Sequence, residues 1–354
     1  MKILVTGNMG YVGPCVTRHL STAYRDATIV GLDTGFYAPH LLRKDGILPE
    51  CEIPQQYFAD VRKPPAGLLE GVDAVVHLAG ISNDPIGNVY EAPTMDINYR
   101  STAELARQAR DAGVRSFVFA SSCSVYGFSE DGPRTEQSEV GPISAYARSK
   151  VLAERALEPL ADRNFTVTCL RFATACGVSP RLRLDLVVND FVASALSVNR
   201  IDILSDGTPW RPLIHVHDMA RAMEWAIQRS GPFLVVNVGS QEGNYQVKEI
   251  AFAVADAISG VKIAINPDAP SDRRSYKVDF RLFRSLAPDH QPIYDLPTTI
   301  AELRDALREA GFNDPNFRES QFIRLRTIRR LVEQGLLTPD LSWSLRPRTA
   351  TALQ

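Results

Sequence analysis

The sequence is poor in cysteine, has almost no net charge and lacks long apolar runs, and each shortage excludes a class of protein. Its 354 residues include five cysteines without a Cys-x-x-Cys spacing, so we expect neither a disulfide framework nor a zinc ribbon, and the thiols suit a reducing cytoplasm. They are Cys15, Cys51, Cys123, Cys169 and Cys176. A net charge of −2 provides no general attraction to nucleic acid or to a membrane surface.

No apolar run of about 18 residues is present, which argues against a membrane-spanning helix. No secretory signal pattern is visible either, so we expect a cytoplasmic protein. The six histidines do not cluster with ligand spacing, and no metal site is predicted. With 45% hydrophobic and 23% charged residues, the chain can bury a large core and is expected to form two lobes around one cleft.

A strand, a glycine-rich turn and a helix follow one another at the start of the chain. Lys2–Thr6 is a short β-rich run, the turn is Gly7-Asn8-Met9-Gly10-Tyr11-Val12-Gly13, and a helical pattern continues to Leu20. The first glycine allows a tight turn, the second a close approach of a pyrophosphate, and the third close packing of helix on strand. This pattern predicts a dinucleotide site.

The second strand indicates which dinucleotide binds. It covers Thr28–Leu32 and ends in Asp33, 20 residues after Gly13. An acidic residue there accepts hydrogen bonds from the adenosine ribose hydroxyls and repels a 2′-phosphate. The predicted cofactor is therefore NAD rather than NADP.

Strand and helix patterns then alternate as far as residue 122. The segments are Gln56–Ala59, the strand Ala74–Gly80, which is expected to be fully buried in a parallel sheet, a helix over Asp96–Ala112 and the strand Ser116–Ser121. This order predicts an α/β fold with a doubly wound parallel sheet, the Rossmann architecture. Ligands bind such sheets at the carboxyl ends of the strands, which is where four of the polar or glycine positions fall. These positions are Asp33, Asp60, Gly80 and Ser122.

Tyr146 and Lys150 stand four residues apart in a helical segment, and side chains at this spacing share one helix face. An ammonium beside the phenol favours the phenolate and lowers the pKa of the tyrosine from about 10 toward working pH, as a general base requires. The hydroxyl of Ser122 is placed to share the reacting oxygen. We predict that Ser122, Tyr146 and Lys150 are the catalytic residues.

The chain resembles the extended short-chain dehydrogenase/reductase family, in particular its NAD-dependent nucleotide-sugar epimerases and dehydratases, over roughly residues 1–280. Besides the glycine turn and the Ser/Tyr/Lys set, it shares with them Asp60-Val61-Arg62, His77-Leu78-Ala79-Gly80 and Asn98. The resemblance implies NAD as cofactor and a Rossmann domain interleaved with a smaller C-terminal substrate lobe. The implied cofactor contacts are Gly7, Gly10, Tyr11, Val12, Gly13, Asp33, Asp60, Val61, Leu78, Ala79, Gly80, Asn98, Tyr146 and Lys150.

The same resemblance implies a nucleotide-sugar substrate. The segment Asp206–Ala220 is similar to one whose arginine, here Arg211, binds the substrate diphosphate, and a guanidinium suits that role because it donates bidentate hydrogen bonds. Thr174 replaces an asparagine that is usual in the family. The predicted substrate contacts are Ser82, Asn83, Ser122, Ser124, Thr174, Arg211, Asp272 and Arg273. The nucleotide stays open among UDP, dTDP, CDP and GDP.

Ser124 narrows the reaction that the resemblance implies. Relatives that eliminate water or decarboxylate have a glutamate at this position, and those that epimerise carbons 3 and 5 have a cysteine. A serine is a poor proton shuttle, and Cys123 is expected to point to the other face of the strand. Two reactions fit: epimerisation at C4 through a transient keto sugar, or NAD(P)H-dependent reduction of a 4-keto sugar. Asp33 favours the epimerase, and a dehydratase or a non-enzymatic NAD-sensing module fits less well.

The predicted NAD-binding domain covers residues 1–178, with 213–240 returning to it, and residues 179–343 form mainly the substrate lobe and the C-terminal helices. The amphipathic segment Phe317–Gln334 is interpreted as a docked helix with a solvated arginine-rich face, or alternatively as a subunit contact. Its arginines are Arg324, Arg326, Arg329 and Arg330. We expect a homodimer, and we expect residues 344–354 to be mobile because they have little to bury.

Overall fold

The computed structural model describes residues 1–43, 47–266, 269 and 274–344, and within these ranges it contains twelve strands and eleven α-helices. The strands are β1 (Lys2–Thr6), β2 (Thr28–Asp33), β3 (Gln55–Phe58), β4 (Ala74–His77), β5 (Ser116–Ser122), β6 (Thr166–Phe172), β7 (Thr174–Cys176), β8 (Arg200–Ile203), β9 (Trp210–His215), β10 (Phe233–Val238), β11 (Asn244–Gln246) and β12 (Lys262–Ile265). The helices are α1 (Gly13–Ala23), α2 (Asp84–Val89), α3 (Glu91–Met95), α4 (Ser101–Asp111), α5 (Ala145–Leu157), α6 (Val187–Val198), α7 (Val216–Gln228), α8 (Val247–Ala257), α9 (Arg281–Leu286), α10 (Leu296–Glu309) and α11 (Arg324–Glu333).

A seven-stranded parallel sheet confirms the predicted doubly wound architecture. Its order is β10-β6-β5-β4-β1-β2-β3. Side chains alternate between its faces, so Ile3 and Val5 enter one apolar core and Leu4 enters the other. The strand order reverses between β1 and β4, and this reversal opens a crevice at the carboxyl ends of the strands.

The remaining strands form two small sheets beside the main one. In the first, β9 pairs in parallel with β7 and antiparallel with β11, and in the second β12 pairs in parallel with β8. Between these elements the chain returns to the main sheet, where α7 lies against α1 and β10 becomes the edge strand beside β6. Residues of β7, β8 and β9 line the same cleft as the ends of the main strands.

Two predicted segments differ in detail from the structure. The loop after β4 contains the helix α2, because Asn83 caps it by accepting a hydrogen bond from the Ile86 N–H at 2.9 Å. The helix predicted over 96–112 begins as a π-helical turn, Asp96–Arg100, and becomes α-helical only at Ser101. Such turns let a helix accommodate an extra residue where a side chain has to be aimed.

The C-terminal segment packs on the Rossmann side of the molecule. Ile328 and Leu341 belong to the same apolar core as Leu4. Arg324 is 1% exposed, so the prediction that the arginines of this helix form a solvated face is wrong for Arg324, although Arg326 is exposed. Of the predicted tail 344–354, residues 345–354 lie outside the described residues. Within the described ranges, none of the helices combines the length and the apolar character needed to cross a bilayer.

Candidate active site

A cleft of about 990 Å³ lies at the carboxyl ends of the main strands. Every predicted site residue within the described ranges lines it, except Asn98. The lining residues that the sequence predicted are Gly7, Gly10, Tyr11, Val12, Gly13, Asp33, Asp60, Val61, Leu78, Ala79, Gly80, Ser82, Asn83, Ser122, Ser124, Tyr146, Lys150, Thr174 and Arg211. Asp272 and Arg273, predicted as substrate contacts, lie outside the described residues.

The loop between β1 and α1 fits a dinucleotide. Gly7 has a φ of +74°, and a Cβ there would stand 2.6 Å from the backbone nitrogen of Ala79, so a side chain is not accommodated. A Cβ on Gly10 would have only the Gly7 carbonyl oxygen within 4 Å, at 3.2 Å, so this face of the loop is open. The free N–H groups of the first turn of α1 follow directly. The loop therefore offers the backbone donors that a pyrophosphate requires, and these residues fit NAD.

Asp33 connects the glycine loop to the expected ribose position. Its Oδ2 accepts a hydrogen bond from the Met9 N–H at 2.9 Å, and its Oδ1 accepts one from the Gly35 N–H at 2.8 Å. Burial raises the pKa of Asp33, and these two hydrogen bonds act against the rise. Each carboxylate oxygen has further acceptor capacity. The side chain can therefore hold the loop and accept hydrogen bonds from ribose hydroxyls at the same time.

Asp60 is held in place by an ion pair that reaches the C-terminal segment. Arg62 Nη2 lies 2.6 Å from Asp60 Oδ2. The same guanidinium donates to the carbonyl oxygens of Asp340 at 2.7 Å and Leu341 at 3.1 Å. The wall of the cleft at Asp60 and Val61 is thus tied to residues that lie about 280 positions later, a connection that no local pattern indicates.

Asn98, which was predicted to contact the cofactor, lies behind the wall of the cleft instead. Its Oδ1 accepts a hydrogen bond from the Ile81 N–H at 2.7 Å, and its Nδ2 donates to the Ile81 carbonyl at 2.9 Å and to Ser149 Oγ at 3.1 Å. The side chain is fully buried. The amide of Asn98 therefore fixes the segment after β4 against α5, so its place corrects the prediction from a contact to a positioning residue.

Helix α5 brings Tyr146 and Lys150 to the end of β5. Ser144 caps the helix, with its Oγ accepting from the Ala147 N–H at 3.1 Å. Lys150 Nζ donates to the Ala120 carbonyl at 2.7 Å and lies 5.7 Å from the centroid of the Tyr146 ring. Because Ala120 belongs to β5, this hydrogen bond sets the register between the helix and the strand that ends in Ser122.

The pKa of Tyr146 corrects the expectation for this residue. Burial raises the pKa of Tyr146 to about 12, although hydrogen bonding by Ser122 acts to lower it. Burial also lowers the pKa of Lys150 to about 8. In the protein alone, desolvation therefore outweighs the effect expected from Lys150, whose ammonium is directed at a carbonyl.

The turn after β5 presents two serines to the cleft and buries the cysteine between them. Ser122 Oγ accepts a hydrogen bond from the Ser124 N–H at 3.2 Å. Ser124 Oγ is buried and has no hydrogen-bond partner among the described residues. Cys123 Sγ lies 3.0 Å from the Arg171 carbonyl, and burial raises the pKa of the thiol. Position 124 thus contributes a neutral, uncommitted hydroxyl to the site.

The polar residues of the loop after β4 are held by the segment that precedes α6. Asn83 Nδ2 donates to Asp185 Oδ2 at 2.8 Å, in addition to capping α2. Ser82 Oγ accepts from Arg183 Nη1 at 3.0 Å. Both residues line the cleft, but their side chains serve to connect two of its walls.

The sequence did not single out three residues that line the substrate end, namely Asp84, Arg274 and Tyr276. Asp84 Oδ1 accepts from Ser144 Oγ at 2.5 Å, and Asp84 Oδ2 lies 3.6 Å from Arg274 Nη1. Arg211 donates to the Arg274 carbonyl. These residues lie close in sequence to the predicted contacts Ser82, Asn83 and Arg273. Which residue of such a polar segment faces the cleft depends on the folded backbone.

Comparison with known proteins shows which proteins this chain resembles. UDP-glucose 4-epimerase of Streptomyces lividans is 30% identical over 268 residues, which cover 72% of this chain and 80% of that protein. The dTDP-glucose 4,6-dehydratase of Streptomyces griseus is 28% identical over 308 residues, covering 84% of this chain and 92% of that protein. The structure of MoeE5 in complex with UDP-glucuronic acid and NAD matches with a TM-score of 0.74 and 25% identity, over 88% of this chain and 100% of that chain.

The description of the matching family also agrees with the predicted cofactor. The model of the NAD dependent epimerase/dehydratase family matches residues 3–239. This match spans the glycine loop, the strand end at Ser122, the Tyr146/Lys150 helix and Arg211. The chain therefore belongs to the NAD dependent epimerase/dehydratase family of enzymes.

Proposed function

We propose that this protein is an NAD-dependent nucleotide-sugar epimerase that inverts the configuration at C4 through a transient 4-keto sugar. The observation that carries the proposal is the meeting of Ser122, Tyr146 and Lys150 with the glycine loop in one cleft, where position 124 adds only a serine hydroxyl. Relatives from Bacillus subtilis and Streptomyces lividans named UDP-glucose 4-epimerase support UDP as the nucleotide.

Tyr146 is the proposed acid and base for the sugar hydroxyl. NAD, when bound, accepts a hydride from the sugar carbon and returns it. Tyr146 removes the proton of the 4-hydroxyl and later gives it back. Because burial raises the pKa of the phenol, the phenolate that accepts this proton needs positive charge close by. Lys150, on the same face of α5, is the cation that the protein itself supplies.

The two serines have different proposed tasks. Ser122 donates a hydrogen bond to the oxygen that becomes the ketone, where partial negative charge remains. Ser124 binds a sugar hydroxyl with its free Oγ. A neutral hydroxyl does not remove a proton from a ring carbon at a useful rate, so elimination and C3/C5 epimerisation lack their base at this position.

Arg211 is the proposed anchor of the nucleotide sugar. A keto sugar has to turn its other face toward the cofactor before the hydride returns, so binding has to be firm at the diphosphate and loose at the sugar. The Arg211 guanidinium on β9 faces the cleft and provides the firm contact to the diphosphate.

The expected homodimer stays a prediction that light scattering on the purified protein would test.

The proposed function is tested by identifying the bound nucleotide and the reaction products. Purified protein is denatured and the released nucleotide is analysed, and intact protein is incubated with a panel of UDP-, dTDP-, CDP- and GDP-sugars without added cofactor. We expect bound NAD and interconversion of C4 epimers with no net formation of NADH. Oxidation of added NADH in proportion to a consumed 4-keto sugar would replace the epimerase by a ketoreductase. Release of a 4-keto-6-deoxy sugar would identify a dehydratase instead.

A further inference from the structure

Two arginines that line the cleft have buried donors that no described residue satisfies. They are Arg183, which precedes α6 and is 5% exposed, and Arg324, the first residue of α11, which is 1% exposed. Arg183 Nη2 and Arg324 Nη1 are both buried without a hydrogen-bond partner among the described residues, and both side chains line the cleft. Buried charged donors without acceptors are rare because desolvating them is costly.

Arg183 is linked to the glycine loop by a shared partner. Asn189 Nδ2 donates to the Tyr11 hydroxyl at 3.0 Å and to the Arg183 carbonyl at 2.8 Å. The guanidinium itself donates from Nε to Asp185 at 2.8 Å and from Nη1 to Ser82 at 3.0 Å. These contacts leave Nη2 as the free donor, held in a fixed direction.

Arg324 reaches the same region from the C-terminal segment. Its guanidinium lies 4.0 Å from the centroid of the Tyr37 ring, four residues after Asp33, and its Nη2 donates to the Arg181 carbonyl at 2.9 Å. Burial lowers the pKa of Arg324 to about 10, and the charge of Arg183 contributes to this lowering. Because Arg324 donates to the Arg181 carbonyl, it packs against the segment that carries Arg183. Two neighbouring cations in a buried site are stabilised by an anion between them.

We propose that Arg183 and Arg324 bind the diphosphate of NAD from the side opposite the glycine loop, so that the cofactor is enclosed between the α1 N-terminus and two guanidinium groups. Guanidinium donors match the geometry of phosphate oxygens. The Tyr37 contact puts Arg324 beside the segment that follows Asp33, and Arg324 also donates to the segment that carries Arg183, whereas Arg211 contacts the Arg274 carbonyl. The inference rests on the proposed NAD site but does not depend on C4 chemistry.

The segment that holds Arg324 is also tied to residues close to Asp33 and Asp60. Arg62 donates to the carbonyls of Asp340 and Leu341. Trp343 Nε1 donates to the Thr34 carbonyl at 2.7 Å, and its ring lies 5.6 Å from that of Phe36. An enzyme that returns its hydride within each turnover gains from holding its cofactor, and this segment ties the arginine in place.

The test compares Arg324→Met with Arg326→Met, a matched control on the same helix. Arg326 is exposed and paired with Glu319, away from the cleft. Binding of NAD, ADP, adenosine and UDP is measured by calorimetry on protein freed of nucleotide. For R324M we expect NAD and ADP to bind about 10- to 100-fold more weakly, the size of a lost charge-assisted hydrogen bond. Adenosine and UDP should bind as to wild type, and R326M should change nothing.

Other outcomes would overturn the proposal in distinct ways. An unchanged ADP affinity in R324M would remove Arg324 from the site, and an equal loss for adenosine would assign it to the adenosine end alone. A selective loss of UDP would place it on the substrate. Tighter binding of NADP than NAD by the wild type, lost in R324M, would identify a 2′-phosphate site. If circular dichroism shows that R324M is unfolded, Arg183→Gln, which keeps a donor for Ser82, is measured against the same four ligands with the same expectations.

Because all these measurements are made without turnover, they separate the two proposals. A protein that reduces keto sugars would still show the arginine-dependent ADP binding, while a C4 epimerase whose R324M and R183Q variants bind ADP normally would lack the site.

Discussion

The cofactor half and the substrate half of the cleft are built by different means. In the cofactor half, glycine backbone and the carboxylate of Asp33 come from one βαβ unit, and the carboxylate is already hydrogen-bonded to Met9 and Gly35. In the substrate half, the lining comes from β7, β9 and the stretch at Arg274 and Tyr276, which lie far apart in the chain. The comparison shows that the proposed dinucleotide end is built mainly within one βαβ unit, to which two arginines from later segments are added, whereas the proposed sugar end is assembled from segments that lie far apart in the chain.

The largest expected effect is at the junction of the two halves. Tyr146→Phe removes the proposed proton-transfer group and should lower turnover about 10²- to 10⁴-fold, while NAD remains bound because the glycine loop is untouched. Product formation and the nucleotide content of the purified variant are measured together. Full activity in this variant would refute the proposed chemistry, and loss of NAD would show that the two halves are not separable at this residue.

The burial of Lys150 should make the free energy of unfolding depend on pH. Its pKa is about 8 in the folded protein, below about 10.4 for free lysine. Between these values the unfolded chain binds a proton that the folded chain has released, so the free energy of unfolding rises with pH, by up to about 3 kcal/mol. Below about pH 8 both states hold the proton and this contribution to the slope vanishes.

Denaturant unfolding of wild type and Lys150→Met from about pH 8 to about pH 10 measures this contribution as a difference between the two proteins. We expect the rise with pH to be smaller in the variant. Identical slopes would mean that Lys150 keeps an ordinary pKa in the folded protein.

Arg211→Met should affect the substrate half alone. Losing one charge-assisted contact to a diphosphate should raise the KM for the nucleotide sugar about 10- to 100-fold. NAD content should stay at the wild-type level. Arg200→Met is the control, since Arg200 is exposed on β8 and paired with Asp202. An Arg211 variant with normal KM would leave Arg211 as a structural partner of the Arg274 carbonyl.

The smallest expected effect is at Ser124. Ser124→Ala removes one neutral hydrogen bond to the sugar, so kcat/KM should fall by no more than about 10-fold. The pH profile of turnover should keep its shape, because a hydroxyl does not titrate in the working range. A fall in kcat/KM beyond about 100-fold would give Ser124 a role in proton transfer. Elimination of water would then again be a candidate reaction for this protein.

Local patterns predicted the parts of the site that depend on neighbouring residues. The glycine spacing, Asp33 at a strand end and the four-residue step from Tyr146 to Lys150 each describe geometry within one turn or one helix face. Asn98 shows where such reasoning stops. Its motif marked it as important, but whether its amide meets the cofactor or Ile81 is decided by the packing of α5.

The pKa of Tyr146 and the place of Arg324 show the same limit. The four-residue spacing indicates that a cation is near the phenol, but desolvation depends on everything packed around it, and burial has the larger effect on the pKa of Tyr146. The amphipathic pattern of α11 predicts a docked helix, but not that its first arginine is buried beside Tyr37.

The sequence by itself determined the βα alternation, the dinucleotide turn, the preference for NAD and the Ser/Tyr/Lys set, because each follows from residues close together in the chain and from the periods of strands and helices. The tertiary structure alone decided which polar side chains face the cleft and which form hydrogen bonds that stabilise its walls. It also decided how burial shifts the pKa values of these side chains. Those properties depend on contacts such as that between Tyr37 and Arg324, which lie about 290 residues apart and meet only when the sheet and its C-terminal segment have folded.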